Sequence, residues 1–369
     1  MVRSLLFSSI TFLYYFLPAV LVIYYLAPAK VKNLILFLAS FVFYLWGEPK
    51  YSVLLLFSVT AGYMGGRCIE YQRQKKCVSA ADPADRSGKY KGGHDRLVVG
   101  IFTAMTLGLL VFFKYMDFLA DSVNRILGTH VPMVQIALPV GISFYTFQAV
   151  GYLIDCYRGR HPAEKNYVRF LLFISFFPQL IQGPINRYGE MAPQLTARHI
   201  WDWERTKRAL FLFLFGAMKK YAIANLTAPT IAAILDGNDP KLAGSMALLA
   251  ILLYSLQQYA DFSGGIDMVL GVAQLYGIEM MPNFRQPYFS TSLGDFWRRW
   301  HISLGAWMRD YLFYPFALTK PMQRFGKWAT SHCGKHFGRV LPAAVANLLV
   351  FAVVGIWHGP QAHYLAWGL

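Results

Sequence analysis

Apolar runs long enough to cross a lipid bilayer recur along this chain, and they constrain its fold more than any single motif does. A hydrocarbon core of ~30 Å takes about 20 apolar residues in a helix. Residues 10–26, 34–46, 51–66, 97–113, 134–154, 209–223, 242–259 and 340–357 are the candidate spans, from 13 to 21 residues long. Within lipid, backbone N–H and C=O groups need partners from the protein itself, so such runs fold as helices. Residues 170–181 are apolar but short and end in Gln182-Gly183-Pro184. They predict a re-entrant or half-crossing helix whose frayed end other helices must bury. The expected fold is all-α: a polytopic transmembrane helical protein with re-entrant and interfacial amphipathic helices, residues 1–369 forming one transmembrane domain. Ala27-Pro28-Ala29 has the look of a signal-peptidase site, but a lone Arg3 and a long apolar run favour an uncleaved span.

Composition excludes the soluble alternative. Hydrophobic residues make up 56% of the chain and charged residues 15%, against roughly 25% charge in soluble domains. Lys and Arg outnumber Asp and Glu by 35 to 19. In a soluble protein that excess would point to nucleic acid; between membrane spans it marks the loops kept on the cytoplasmic side. No nucleic-acid partner is expected. With the N-terminus outside, the loops after the first, third and fifth runs carry fourteen Lys and Arg. The opposite side then carries four: Arg3, Lys50, Lys114 and Arg125. Cys68, Cys77, Cys156 and Cys333 form no CxxC pair, which argues against a disulfide framework or zinc ribbon. His332-Cys333 with His336 is an isolated cluster in a basic stretch, and no metal is expected. The sequence has no internal repeat and no Walker or dinucleotide glycine pattern.

Ionisable groups inside membrane runs are costly and mark functional sites. Three stretches qualify. The first closes the run that bears Asn347, at Trp357-His358-Gly359-Pro360. Proline ends the helix just past His358, leaving a histidine beside a helix break in an apolar bundle. An interfacial Trp-His pair in an aromatic belt fits the spacing equally well. The second is 295–310, where Trp297, Trp300, Leu304, Met308 and Tyr311 fall within about 80° of one another at 100° per residue. Arg298, Arg299, Arg309 and Asp310 face elsewhere. This predicts an amphipathic helix lying in the interface, with His301 at the edge of its apolar stripe; an incidental histidine on a solvated helix is the simpler alternative. The third is 259–267, where Asp261 and Asp267 stand about 240° apart on a helix and so form no paired dyad. Gly264-Gly265 would let that helix bend or unwind. Its carboxylates are expected to be paired within the fold, or to serve ions in a transporter.

Together these stretches resemble the membrane-bound O-acyltransferase (MBOAT) family, and its bacterial branch of alginate O-acetyltransferases and D-alanyl-lipoteichoic acid transferases in particular. The resemblance rests on motifs in the family's order: Phe7-Ser8-Ser9 with Phe16-Leu17-Pro18, residues 33–46, and Phe177-Pro178-Gln179-Leu180-Ile181-Gln182-Gly183-Pro184-Ile185 with Arg187-Tyr188. Asp261-Phe262-Ser263-Gly264 to Asp267, Asn283-Phe284, Pro287-Tyr288, Phe296 to His301, Arg309-Asp310-Tyr311 and Trp357-His358-Gly359 follow. It implies catalytic roles for His358, in the Trp-His-Gly motif, and His301, which closes the Arg-Trp-His motif. Trp300, Asn347, Trp357, Asp261 and Arg298 are the candidate substrate-binding residues.

The chemistry so implied suits an imidazole, whose ordinary pKa of about 6.5 lets it take a hydroxyl proton near neutrality. His301, Asn347 and Trp300 are candidate donors to the oxyanion. No Ser or Cys of these motifs resembles an acyl-carrying nucleophile, which favours direct transfer. The resemblance implies no bound cofactor, an acyl-CoA or acyl-carrier-protein thioester as cytoplasmic donor, and hydroxyls of an extracytoplasmic polysaccharide or wall polymer as acceptor. It further implies a multi-pass location in the bacterial cytoplasmic membrane, contact with membrane lipid and an extracytoplasmic partner that relays the acyl group. Acetyl is the expected group, with D-alanyl transfer to teichoic acid as the alternative. A secondary transporter built on Asp261, Asp267 and the 170–181 segment is the alternative from another class. The sequence departs from the family pattern twice. Residues 319–342 carry Lys320, Arg324, Lys327, Lys335, Arg339 and no acid, which predicts a basic loop near anionic lipid or an acidic carrier protein, or simple positive-inside anchoring. The sequence stops at Trp367-Gly368-Leu369 within an apolar segment, where a C-terminally truncated domain is expected.

Overall fold

The computed structural model describes residue 7 and residues 9–79, 93–133, 137–235 and 244–368. Every regular element among these residues is helical. Helices α1 (Thr11–Leu26), α2 (Lys32–Gly47), α3 (Ser52–Ser79) and α4 (Gly93–Leu127) come first. Helix α5 (Ile142–Arg158) begins after Gly141 and ends at Gly159, both left-handed, with φ of 78° and 72°. The short α6 (Tyr167–Ser175), α7 (Phe177–Leu180) and α8 (Tyr188–Thr196) precede the long α9 (Trp203–Leu235) and α10 (Gly244–Leu275). Helix α11 (Leu293–Arg299) is followed by α12 (Ile302–Met308), which runs on through Arg309–Phe313 into Tyr314–Ala317. Helices α13 (Lys320–His358) and α14 (Ala362–Gly368) close the described chain.

Among the described residues, α3, α4, α9 and α13 hold stretches long and apolar enough to cross a membrane, and α1 and α2 are shorter apolar helices. Leu97, Ile101 and Met105 on α4 and Phe211 and Leu214 on α9 stand exposed. Contiguous apolar surface of this kind belongs against lipid. Much of the hydrophobic excess of the composition is thereby accounted for: it faces outward.

The segment 170–181 forms two short helices, broken ahead of Pro178, and lies at the centre of the core. Phe170, Phe173, Phe176 and Phe177 are wholly buried. The frayed backbone there finds partners on other elements, as a broken helix inside a membrane protein must. Asn166 Oδ1 accepts from Val168 N at 2.9 Å and Arg169 N at 3.2 Å, capping α6. Phe177 N donates to Ser40 Oγ of α2 at 3.1 Å. Gln179 donates through its side chain to Phe173 O and accepts from Asn186 Nδ2 at 2.8 Å.

Four expectations are corrected. The 134–154 run becomes helical only at Ile142, because Pro139 and the left-handed Gly141 delay the start; residues 134–136 lie outside those described. The 295–310 stretch is not one amphipathic helix but two, α11 and α12, broken at Trp300-His301. The basic stretch 319–342 is helical rather than a loop: α13 folds back at Gly334 (φ 89°, ψ 167°). A methyl placed on Gly326 would lie 3.1 Å from Gly338 O, so arms 320–333 and 335–358 pack as a hairpin. Lastly, α10 passes straight through Gly264-Gly265 to Leu275 without unwinding.

Those glycines serve close approach instead. A methyl on Gly216 of α9 would sit 2.5 Å from Gly264 O, one on Gly264 2.7 Å from Gly216 O, and one on Gly271 2.7 Å from Ala209 O. Small residues bring the two backbones together, the usual device where the hydrophobic effect cannot drive helix association. Along this seam Lys219 Nζ pairs with Asp267 Oδ2 at 2.5 Å and donates to Ser263 Oγ at 3.0 Å. Lys220 Nζ pairs with Asp261 Oδ1 at 2.5 Å.

Two outcomes follow for the protein in detergent. Gly216→Ala forces the backbones apart, at a cost of about 1–3 kcal/mol for overpacking, and should lower the thermal midpoint by several degrees. Gly100→Ala, with open space around it, should leave the midpoint unchanged or raise it; equal midpoints for the two would remove the close-packed seam. Lys219→Met strands the Asp267 carboxylate in the seam, a loss of about 3–5 kcal/mol for a broken buried pair. Lys219→Met/Asp267→Leu should recover most of that loss in a denaturation midpoint; a double variant as unstable as the single one would contradict the pairing.

Candidate active site

The break between α11 and α12 determines the shape of the site. Ser292 Oγ caps α11 by accepting from Asp295 N at 3.1 Å, and Asp295 in turn pairs with Arg299 Nε at 2.9 Å. The chain then extends at Trp300 and turns left-handed at His301, with φ 45° and ψ 51°. For a residue with a Cβ that conformation costs about 1–2 kcal/mol, so something must hold it.

Asn283 does. Its backbone carbonyl accepts from Ile302 N at 3.0 Å. Its side-chain Oδ1 accepts from Ser303 N at 3.0 Å and lies 2.9 Å from Ser303 Oγ and 3.2 Å from His301 Nδ1. Arg285 N donates to Arg299 O at 3.0 Å two residues further on. Asn186 Oδ1 takes Met281 N at 2.9 Å, which links the 281–285 segment to Gln179 in the core.

His301 is buried and borders a cavity of about 660 Å³. Burial, and after it the nearby His358, push its imidazole down to about 3, so the ring is neutral at physiological pH. Trp297, Trp300, Leu304, Phe351 and Val354 give the cavity apolar walls; Asn347 from α13 adds an amide, and Arg298 and Arg309 add charge. The Phe262 ring of α10 meets His301 edge-on at 4.8 Å, and the Tyr259 ring lies 6.2 Å from Trp300.

The second motif reaches the same place from α13. Gly359-Pro360 ends that helix, which leaves its last carbonyls without helical partners. Two side chains of α4 supply them: Lys114 donates to Trp357 O and Tyr115 to Ile356 O. Trp357 stacks on Phe147 of α5 at 5.8 Å, and Phe147 on Trp307 of α12 at 4.3 Å, while Trp307 Nε1 donates to Phe147 O at 3.0 Å. Trp357 lies 6.3 Å from His301, ring to ring. Its buried Nε1 has no hydrogen-bond partner. His358 is the neighbour beyond it, exposed, with Trp367 of α14 at 5.2 Å.

The sequence-derived candidates therefore divide. His301, Trp300, Asn347 and Arg298 line one cavity, and Trp357 stands against His301. His358 lies next to Trp357 rather than among the residues lining the cavity. Asp261 points to Lys220 across the α9–α10 seam. The Arg-Asp-Tyr motif braces the far end of α12: Asp310 accepts from Arg187, and Tyr311 OH donates to Asp155 Oδ2 at 2.6 Å. Burial works against the charged Asp310, but Arg187 and Arg309 outweigh it and hold its carboxyl below the usual carboxylate range. Asn283 and Ser303 had no assigned role at the sequence level; the one available signal was that Asn283 sits in a family-ordered motif. No group of three or more metal-binding side chains occurs among the described residues.

Comparison with known proteins matches residues 160–369 to the model of MBOAT, the membrane-bound O-acyltransferase family. The chain is 36% identical over 369 residues to a probable alginate O-acetylase AlgI of Azotobacter vinelandii, covering 99% of this chain and 66% of that protein. It is 32% identical over 396 residues to the peptidoglycan O-acetyltransferase of Helicobacter pylori, covering 99% and 68%. To the teichoic acid D-alanyltransferase of Bacillus subtilis it is 32% identical over 245 residues, covering 62% and 56%. The chain thus spans about two-thirds of the length of the alginate-type relatives. With the family model matched over more than half of its length and relatives above 30% identity aligned along almost all of it, the chain belongs to the membrane-bound O-acyltransferase family.

Proposed function

We propose that this protein is a membrane O-acyltransferase that moves an acyl group from a cytoplasmic thioester to hydroxyls of an extracytoplasmic polysaccharide or cell-wall polymer. One observation carries the proposal: two histidine motifs more than fifty residues apart in sequence converge, with Trp357 6.3 Å from a buried, cavity-lining His301. His301 and His358 are the catalytic pair. A neutral imidazole takes the acceptor's proton as its oxygen attacks the thioester carbonyl. Trp300 and Asn347 line the acyl-transfer cavity, Arg298 gives it positive charge, and the free Nε1–H of Trp357 is a donor for the oxyanion.

The acyl group is acetyl. Relatives named as O-acetylases or O-acetyltransferases align over 99% of this chain, whereas the Bacillus subtilis D-alanyltransferase aligns over 62%. The excess of Lys and Arg on one side of the first half supports a cytoplasmic face from which acetyl-CoA or an acyl carrier protein delivers the group. A partner outside the membrane relays it to the polymer. The transporter alternative loses its main support, because Lys220 and Lys219 already neutralise Asp261 and Asp267.

Either His301→Ala or His358→Ala should reduce ester-linked acetate on the surface polymers by about 10²- to 10⁴-fold, the usual worth of a general base. Membrane levels of the protein should stay constant. Wild-type ester content in either variant would remove that residue from the mechanism. In sealed membrane vesicles, radiolabelled acetyl-CoA should label polymer only when offered to the cytoplasmic face; equal labelling from both faces would contradict the assigned direction.

A further inference from the structure

We propose that Asn283 is a positioning residue that holds His301 as its Nδ1–H tautomer, leaving Nε2 as the lone-pair nitrogen of the ring that borders the cavity. The inference builds on the O-acyltransferase reading, yet its structural half can be tested without any substrate.

The identity of one atom decides the tautomer. Asn Oδ1 and Nδ2 are assigned from the network around them, and here one contact decides the assignment. Ser303 N lies 3.0 Å from the Asn283 atom in question. A backbone N–H can only donate, so that atom is the amide oxygen. The oxygen is then the acceptor for everything near it. His301 Nδ1, 3.2 Å away, must carry the hydrogen. In a neutral imidazole one nitrogen donates and the other accepts. Nε2 is therefore the basic nitrogen. The reverse tautomer would set the Nδ1 lone pair against the Oδ1 lone pairs. Asn283 is 1% exposed, so bulk solvent does not relieve the clash.

The backbone supports the same assignment. Asn283 uses its main-chain carbonyl to hold Ile302 N and its side-chain oxygen to hold Ser303 N. One residue thus fixes both the left-handed turn that aims the imidazole and the proton that the imidazole carries.

In the transfer itself, Nε2 takes the hydroxyl proton of the acceptor while the hydroxyl oxygen bonds to the thioester carbonyl carbon. The tetrahedral intermediate collapses with loss of the C–S bond. The proton on Nε2 passes to the departing thiolate, giving ester and free thiol and returning the neutral ring. With the hydrogen on the wrong nitrogen, Nε2 has no lone pair to begin this cycle.

The test is ¹⁵N NMR of histidine-labelled protein in detergent, with the His301 signals assigned by their loss in His301→Ala. The wild type should show a protonated Nδ1 and an unprotonated Nε2. Asn283→Leu, similar in size but without an acceptor, should lose that signature, and Asn283→Asp, which restores an acceptor oxygen, should regain it. In acetyl transfer, Asn283→Leu should lower kcat on the order of 10²- to 10⁴-fold with KM for the acceptor unchanged. The double variant His301→Ala/Asn283→Leu should be no slower than His301→Ala alone, because residues acting as a unit are not additive. A wild-type Nε2–H signature, a signature unchanged in Asn283→Leu, or additive losses in the double variant would each overturn the assignment. If the wild type shows the Nδ1–H signature but transfers no acyl group, the proposed function fails and the tautomer assignment stands.

Discussion

The left-handed turn at His301 is the constraint on which the site depends. It breaks an amphipathic stretch in two, pulls an imidazole out of the periodic stripe and places it at a cavity. Alone, such a turn is unfavourable by about 1–2 kcal/mol. It persists because Asn283 supplies hydrogen bonds to two consecutive backbone N–H groups after it. Asn283 in turn is held by a segment tied to the core through Asn186 on Met281, and to α8 through Gln194 on Glu279. The strain at the site is thus over-determined by its surroundings, the condition under which functional strain survives.

The second histidine motif depends on a different device, a helix end completed from outside. Where Gly359-Pro360 stops α13, its final carbonyls are satisfied by Lys114 and Tyr115 of α4. The Trp307–Phe147–Trp357 stack then presses that end against α5 and α12. Residues near 114, 147, 283, 301 and 357 come from separate elements. A site assembled in this way is as rigid as the bundle that carries it, which suits chemistry requiring placement within about 0.5 Å.

Much of the fold was legible in the sequence, because a bilayer imposes length and apolarity that survive any detail of packing. The 10–26, 34–46 and 51–66 runs are helices, and 170–181 is a short broken helix in the core. The break at His301 was not legible. The 100° spacing of Trp297, Trp300, Leu304 and Met308 fits one helix, and the residue that interrupts it acts from eighteen positions upstream. The same holds for the hairpin at Gly334: a single glycine in a basic stretch suggests a loop until the arms on either side are seen to pack. The two histidines were identified by family motif, but which of them borders the cavity is a fact of packing that periodicity does not encode.

Charge inside the bundle follows the same rule at longer range. Lys219-Lys220 interrupt one apolar run, and Asp261 and Asp267 follow directly on another; taken separately, each pair looks like a defect in a span. Their spacing makes them complementary. Lys219 reaches Asp267 and Lys220 reaches Asp261 across a seam thinned by Gly216 and Gly264. Two ion pairs and a glycine contact on one interface set the register of α10 against α9, since a slip would leave the largely buried Asp267 carboxylate unpaired. That register is felt at the site, because Tyr259 and Phe262 lie on the same stretch of α10 as Asp261. They meet Trp300 and His301 at 6.2 and 4.8 Å. The paired charges therefore bear on the cavity without lining it: they fix the register that sets Tyr259 and Phe262 against Trp300 and His301.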